Sequence, residues 1–452
     1  MIKIKNFSCS YNSHKNLINN LNVEINDGEA LIICGKSGAG KSTLLNIISG
    51  ISPNLIKVNM SGIIEILNNR ASTFVFQNPH IYSFANIALE ELSFELENLG
   101  IAPDEIVKKI NEISIILDLK KILLKNLVDL SAGQKMKVSI ASALITTPDI
   151  LLFDEPLPAL DKECQLKFID ILNQLKKNGK TLIIAEHLIA PLLPIADKIL
   201  FFNDNYDYKI FNAPFNNDDY EYLFNAGIRS KKINYAVFNN GKIQNEAIIK
   251  LNNVSFGYEK NKIFENLNFD FFKGELMGII GNNGSGKTTF LKLLAEILKI
   301  DQGMIEIIGK SAYIDQNPDR LLFEKSVFDE ISVGSRLDKE SIENIMKKLD
   351  ILKLASRNPL HLSIGEKHRV AVASALAQEP DIILLDEPAS GLDFYHLKDM
   401  FDELKKMVRE QQKTIITASN DLELLELYCD RIINIEDLKK SKKGEKLKNA
   451  TA

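Results

Sequence analysis

A membrane-spanning segment is the first thing missing from this sequence of 452 residues. Its most apolar stretch, residues 187–202, is interrupted by Pro191, Pro194, Asp197 and Lys198. That stretch is too short and too broken to cross about 30 Å of hydrocarbon. An excess of one charge is also missing. The 55 Lys and Arg are nearly matched by 60 Asp and Glu, which argues against a chain held to nucleic acid by bulk charge. Cysteine is scarce. Cys9, Cys34, Cys164 and Cys429 form no CxxC pair and no Cys/His cluster, which argues against a zinc site. They read as small buried side chains in a reducing compartment. The first residues alternate apolar and charged like a strand, without the apolar centre of a signal peptide. Residues 439–452 are Lys-rich and read as a solvated basic tail. What remains is ordinary globular composition, 45% hydrophobic and 25% charged. The length suits two to four domains of about 100–200 residues each.

An internal repeat sharpens that count. Gly35, Lys36, Ser37, Gly38, Ala39, Gly40, Lys41 and Ser42 recur as Gly281, Asn282, Asn283, Gly284, Ser285, Gly286, Lys287 and Thr288. Gln77-Asn-Pro79 recurs as Gln316-Asn-Pro318, and Leu130-Ser-Ala-Gly-Gln134 as Leu362-Ser-Ile-Gly-Glu366. Leu152-Phe-Asp-Glu-Pro156 recurs as Leu384-Leu-Asp-Glu-Pro388. The order is the same, and the separation of Ser131 from Asp154 equals that of Ser363 from Asp386. Two copies of one α/β domain follow, at 1–225 and 248–438, joined by a linker at 226–247. Short apolar runs at 30–34, 276–280, 150–153 and 382–385 read as buried parallel strands. Residues 103–124 and 338–354 read as helical inserts.

The glycine-rich loops that follow two of these strands are phosphate cradles. Their backbone N–H groups form an anion nest, and the next helix adds its dipole. Lys41 and Lys287 are placed to reach β- and γ-phosphates, and Ser42 and Thr288 to ligate Mg²⁺. Asp154 and Asp386 end buried strands, where an acid needs a cation such as Mg²⁺. Glu155 and Glu387 follow, placed to polarise an attacking water. Gln77 and Gln316 sit after strand-like runs, where an amide can bind both Mg²⁺ and a water.

In their order, these motifs resemble ABC ATPase domains, over nearly the whole chain and twice. The resemblance implies two tandem P-loop NTPase domains. Each has a mostly parallel core sheet, an antiparallel β subdomain and a helical subdomain. It implies ATP and Mg²⁺ as ligands, and head-to-tail pairing of the two copies over two ATP molecules. Each site then takes Ser131, Gly133 and Gln134, or Ser363, Gly365 and Glu366, from the opposite copy. Tyr11 and Tyr258 match the aromatic that stacks on adenine, and His187 matches the switch histidine. Asn420 stands at the equivalent position of copy two, and Pro158 replaces Ser390 in the loop after the acidic pair. By the implied head-to-tail pairing both departures fall at one composite site; the other is faced by Ser363-Ile-Gly-Glu366, whose Ile and Glu depart from the usual Gly and Gln, and this Lys41/Glu155/His187 site is expected to hydrolyse faster.

Within ABC ATPases, the absence of a long coiled-coil insert argues against repair proteins. The short linker, which is not strongly basic, argues against translation factors. Gln316-Asn-Pro-Asp319 and the following acidic run resemble the ATPases of energy-coupling factor (ECF) transporters; His80 departs from Asp in copy one. The resemblance implies a transmembrane coupling subunit and a substrate-binding membrane subunit on separate chains. It places this chain in the cytoplasm, on the inner face of the membrane, with a vitamin or metal ion as cargo. Arg residues of a coupling helix would suit Glu90, Glu91 and Glu330. A sugar or nucleoside importer and a soluble ABC factor acting on ribosomes stay open as alternatives.

Overall fold

A computed structural model describes residues 1–11, 17–36, 38–54, 56–67, 71–76, 84–130, 132–158, 160, 162–203, 207–230, 246–258, 261–282, 284–389 and 394–440. The chain divides into two compact units, Met1–Lys232 and Ile233–Ala452. Each is mixed α/β with a P-loop core.

In the first unit the core sheet runs in the order Ser72–Val75, Ile150–Asp154, Thr181–Ala185, Ala30–Gly35, Lys198–Phe202 and Tyr208–Asn212. All neighbours are parallel except the last pair. The strand Ala30–Gly35 is buried along its whole length. Ala30, Ile32 and Cys34 pack into one core, and Leu31 and Ile33 into another. A strand covered on both faces has no use for polar alternation, which explains its continuous apolar sequence. The second unit repeats this in the order Ser311–Ile314, Ile382–Asp386, Thr414–Ser419, Leu276–Ile280 and Arg431–Asn434, all parallel. Each unit adds an antiparallel sheet, Ile18–Ile25, Ile2–Ser10 and Asn59–Ile66 in one, and Asn261–Phe272, Ala247–Tyr258 and Gln302–Ile307 in the other.

The helical inserts are shorter than their sequence periodicity suggests. The first helix is Pro103–Ile116, and the chain then turns at Asp118 with φ 53°. The second is Lys339–Lys348, capped by Asp338, and the chain turns at Asp350 with φ 50°. Left-handed backbone at these two acids ends each helix before its apolar pattern ends. After the helix Asn217–Asn225, Ile228, Arg229 and Ser230 stay buried on the first unit. Residues 231–245 and 441–452, which hold most of the expected linker and tail, lie outside the described residues. Among those residues no helix is long and apolar enough to cross a membrane.

Candidate functional site

Both glycine-rich loops close on a buried lysine. Gly40 and Gly286 begin the following helices with φ 101° and 99°, a left-handed conformation that side chains resist. Gly38 and Gly284 are also left-handed, and a side chain there would meet nothing within 4 Å, so each loop is open on that face. Lys41 Nζ donates to the carbonyls of Gly35 at 3.0 Å and Lys36 at 3.1 Å. Lys287 Nζ does the same to Gly281 at 2.8 Å and Asn282 at 3.4 Å.

The acidic pairs sit at the strand ends beside these lysines. Ser42 Oγ donates to Asp154 Oδ1 at 3.0 Å. Burial, reinforced by the neighbouring Glu155 charge, pushes the Asp154 carboxyl up to about 6, against the pull of Ser42 and Lys41. Asp386 is also raised, mainly by burial, with the Thr288 hydroxyl opposing. Its Oδ2 accepts the Tyr313 hydroxyl at 3.2 Å, while its buried Oδ1 has no hydrogen-bond partner. An orphaned buried carboxylate oxygen next to a hydroxyl is a hard oxygen donor set, and it fits Mg²⁺. The open loops likewise fit a polyphosphate.

Glu155 and Glu387 both adopt left-handed backbone, φ 47° and 46°. Both donate their N–H to the adjacent strand, at Ala185 O and Ala418 O, each at 2.9 Å. A non-glycine residue rarely takes this conformation without a reason, and the same strain in both copies marks a functional turn.

Beyond this turn the copies diverge. His187 Nε2 lies 2.7 Å from Glu155 Oε1 and 3.2 Å from Lys41 Nζ. The ring nitrogen thus faces both the carboxylate and the ammonium, and a ring protonated at Nε2 donates to Glu155. In copy two, Asn420 Oδ1 accepts from Lys287 at 2.6 Å, and the Asn420 backbone N–H donates to Glu387 Oε2 at 3.2 Å. Lys287 stands 3.4 Å from Glu387, closer than the 4.0 Å between Lys41 and Glu155. Burial raises the Glu387 carboxyl, with Lys287 opposing.

Tyr11 and Tyr258 have matching exposures of 48%, enough to offer a ring face. Tyr11 is fixed by a 2.9 Å bond between its hydroxyl and that of Thr43. Ser363 caps the helix Ile364–Ala377, and Glu366 closes back on the Ser363 N–H and hydroxyl, both at 2.9 Å. Gly365 is buried in the first turn of that helix. Gly133 and Gln134 open the matching helix Ala132–Ile145. Gln316 follows the strand Ser311–Ile314, just past Asp315. Ser37, Gln77, His80, Ser131, Asn283 and Ser390 lie outside the described residues.

Two of the acids expected to meet arginines of a partner are turned inward. Glu91 Oε2 accepts the N–H groups of Phe84 and Ala85 at 2.9 and 3.0 Å. Glu330 Oε2 accepts those of Phe323 and Glu324 at 2.7 and 2.8 Å. These carboxylates brace the loop after the Gln segment, and of the three acids Glu90 alone is exposed. The braced loops present Phe84, 77% exposed and stacked on Phe94 at 5.1 Å, and Phe323, 78% exposed.

Sequence reasoning passed over two residues. Tyr313 bonds the Asp386 carboxylate where copy one has Phe74. Glu186, wholly buried before His187, aligns with Ser419. A pairwise reading of the repeat at positions flanking the motifs would have found both.

The sequence profile of the ABC transporter family matches residues 18–158 and 264–390. An ABC transporter ATP-binding protein of Clostridium perfringens is 30% identical over 97% of this chain and 90% of its own length. One from Sulfurisphaera tokodaii is 32% identical over 95% of both chains. Among solved structures, an archaeal ribosome recycling factor, in complex with a ribosomal stalk protein, shares 25% identity with a TM-score of 0.68. The match covers 92% of this chain and 84% of that one. The chain belongs to the ABC transporter ATPase family and carries two of its domains in tandem. Membership implies ATP binding and hydrolysis, with Mg²⁺ as the usual companion.

Proposed function

We propose that the chain is the ATP-hydrolysing subunit of an importer of the energy-coupling factor type. The match at 30% and 32% identity to ABC transporter ATP-binding proteins along nearly the whole chain supports the transporter part of this reading, and the Gln316-Asn-Pro-Asp319 segment with its acidic run motivates the energy-coupling factor type. The transmembrane coupling subunit and the substrate-binding membrane subunit are then separate chains, and this one docks on the inner face of the membrane. The cargo class is a vitamin or metal ion.

In this reading Lys41 and Lys287 grip the phosphates within their loops. Ser42, Asp154 and Gln77 in one copy, and Thr288, Asp386 and Gln316 in the other, hold Mg²⁺. Glu155 and Glu387 orient the attacking water. Tyr11 and Tyr258 stack on adenine. The helix starts at Ser131 and Ser363 complete the opposite sites when the two copies close on ATP. Closure is driven by the higher affinity of the closed state for ATP. Phe84 and Phe323 suit the apolar end of a coupling helix, with Glu90 at the rim of copy one.

A soluble factor acting on ribosomes is the second reading, favoured by the structural likeness to the recycling factor. Affinity purification from solubilised membranes separates the two. Recovery of a multi-spanning partner supports the importer, and sedimentation with ribosomes while membranes are left bare overturns it.

A further inference from the structure

Glu186 is 0% exposed and lies directly before His187. A carboxyl group buried so completely is costly unless its oxygens are bonded. Its Oε2 accepts the backbone N–H of Leu157 at 3.1 Å, just past Glu155 and Pro156. Its Oε1 accepts the N–H groups of His187 at 2.7 Å and Leu188 at 3.3 Å. Its own N–H donates to Ile33 O at 2.9 Å, in the strand that leads into the phosphate loop. One residue therefore ties together the phosphate-loop strand, the turn after Glu155 and the His187 turn.

Copy two keeps the backbone pairing of this position with the phosphate-loop strand but lacks the side-chain ties. Ser419 stands in its place, and its hydroxyl accepts the N–H of Asp421 at 3.1 Å. The N–H of Asn420, equivalent to the one Glu186 takes from His187, goes instead to Glu387 Oε2 at 3.2 Å. In copy two the acid after the strand must hold its own neighbouring loop. In copy one Glu186 does that, and Glu155 is left to face the His187 ring.

We propose that Glu186 is a positioning residue for hydrolysis in the first copy, holding the His187 ring against Glu155 and fixing the turn that follows Glu155. The proposal rests on the reading of Glu155 and His187 as the hydrolytic pair. It also makes the difference between the copies a matter of two adjacent positions, Glu186/His187 against Ser419/Asn420.

The test uses the full chain in a Glu387→Gln background, so that steady-state hydrolysis reports on copy one. Glu186→Ala is expected to lower kcat by about 10- to 100-fold, the scale of a misplaced catalytic group, with KM for ATP nearly unchanged. Amide hydrogen exchange at Leu157, His187 and Leu188 should quicken by roughly tenfold or more as their acceptor is lost, while Thr181–Ala185 stays protected. Glu186→Gln keeps an oxygen for the His187 and Leu188 amides and should recover part of kcat. An unchanged kcat with quickened amides overturns the proposal, as does a parallel loss of kcat, ATP affinity and thermal stability in both variants. Glu155→Gln and His187→Ala in the same background judge the parent reading. If they abolish hydrolysis and Glu186→Ala does not, the positioning role alone falls. If they leave the rate intact, the hydrolytic pair is wrong and both readings fall.

Discussion

Glu155 and His187 form a 2.7 Å contact, and at the equivalent position of copy two Asn420 turns its side-chain oxygen to Lys287 at 2.6 Å. The same fold position thus holds a ring whose closest contact is the acid in one copy and an amide whose oxygen accepts from the lysine in the other. Asn420 also draws Glu387 toward its own backbone N–H. The hydrolytic asymmetry expected from the motifs gains a local geometry, within each copy.

Replacing that amide should help copy two. In a Glu155→Gln background, Asn420→His is expected to raise ATP hydrolysis several-fold, still below copy one because Ser419 remains. General acid–base groups contribute about 10²–10⁴-fold in favourable settings, and this site lacks the tie that would realise it. Steady-state phosphate release measures the gain. A fall in rate would show that Asn420 is already the better residue there.

Glu366 places a carboxylate beside Ser363, the position that meets a γ-phosphate if the copies pair as proposed. Like charge disfavours that approach. Glu366→Gln should therefore tighten ATP-driven association of the copies and lower KM for ATP by a fewfold, with the fold unchanged. An ATP titration of hydrolysis reads this directly. A raised KM would mean that the Glu366 cap on Ser363 matters more than its charge.

Lys41 and Lys287 are buried, and each donates to two loop carbonyls besides its contact with His187 or Asn420, bonds that a phosphate in the loop would compete for. Lys41→Ala and Lys287→Ala should each remove nucleotide binding at their own loop and leave the other intact. Titration with a fluorescent ATP analogue would show half the stoichiometry of the unsubstituted chain in each variant. Loss of all binding in either would tie the two loops more closely than this account allows.

Glu186 also predicts a pH dependence of stability. Burial, with the Glu155 charge beside it, pushes its carboxyl up to about 8 from the usual 4.5, against three N–H groups that pull it down. An acid whose pKa is higher folded than unfolded keeps its proton longer in the folded state. Its ionisation therefore costs stability progressively as pH rises from about 4.5 to about 8, and the cost is constant above that. The Tm difference between the unsubstituted chain and Glu186→Gln should fall across that window and then level off. A flat difference from pH 5 to 9 would contradict it.

The motifs carried much of this in the sequence. Phosphate loops, acidic pairs and the apolar strands between them depend on local residue type, and the repeat showed them twice. Helix ends were less legible, because the left-handed turns at Asp118 and Asp350 stop helices whose apolar spacing continues. The roles of Glu91 and Glu330 were misread because an acid on an amphipathic helix looks solvent-facing until the preceding loop folds back to donate to it. For Glu186 and Tyr313 the repeat shows the differences from Ser419 and Phe74 but not the partners, Leu157 and Asp386, which are distant in sequence and brought near by sheet pairing.

Glu155→Gln and Glu387→Gln, compared side by side, show whether the two copies hydrolyse at different rates. Each variant is assayed for ATP hydrolysis as the full chain at saturating Mg·ATP. Glu155→Gln is expected to remove most of the activity and Glu387→Gln a minor share. Equal losses, or a larger loss from Glu387→Gln, would contradict it.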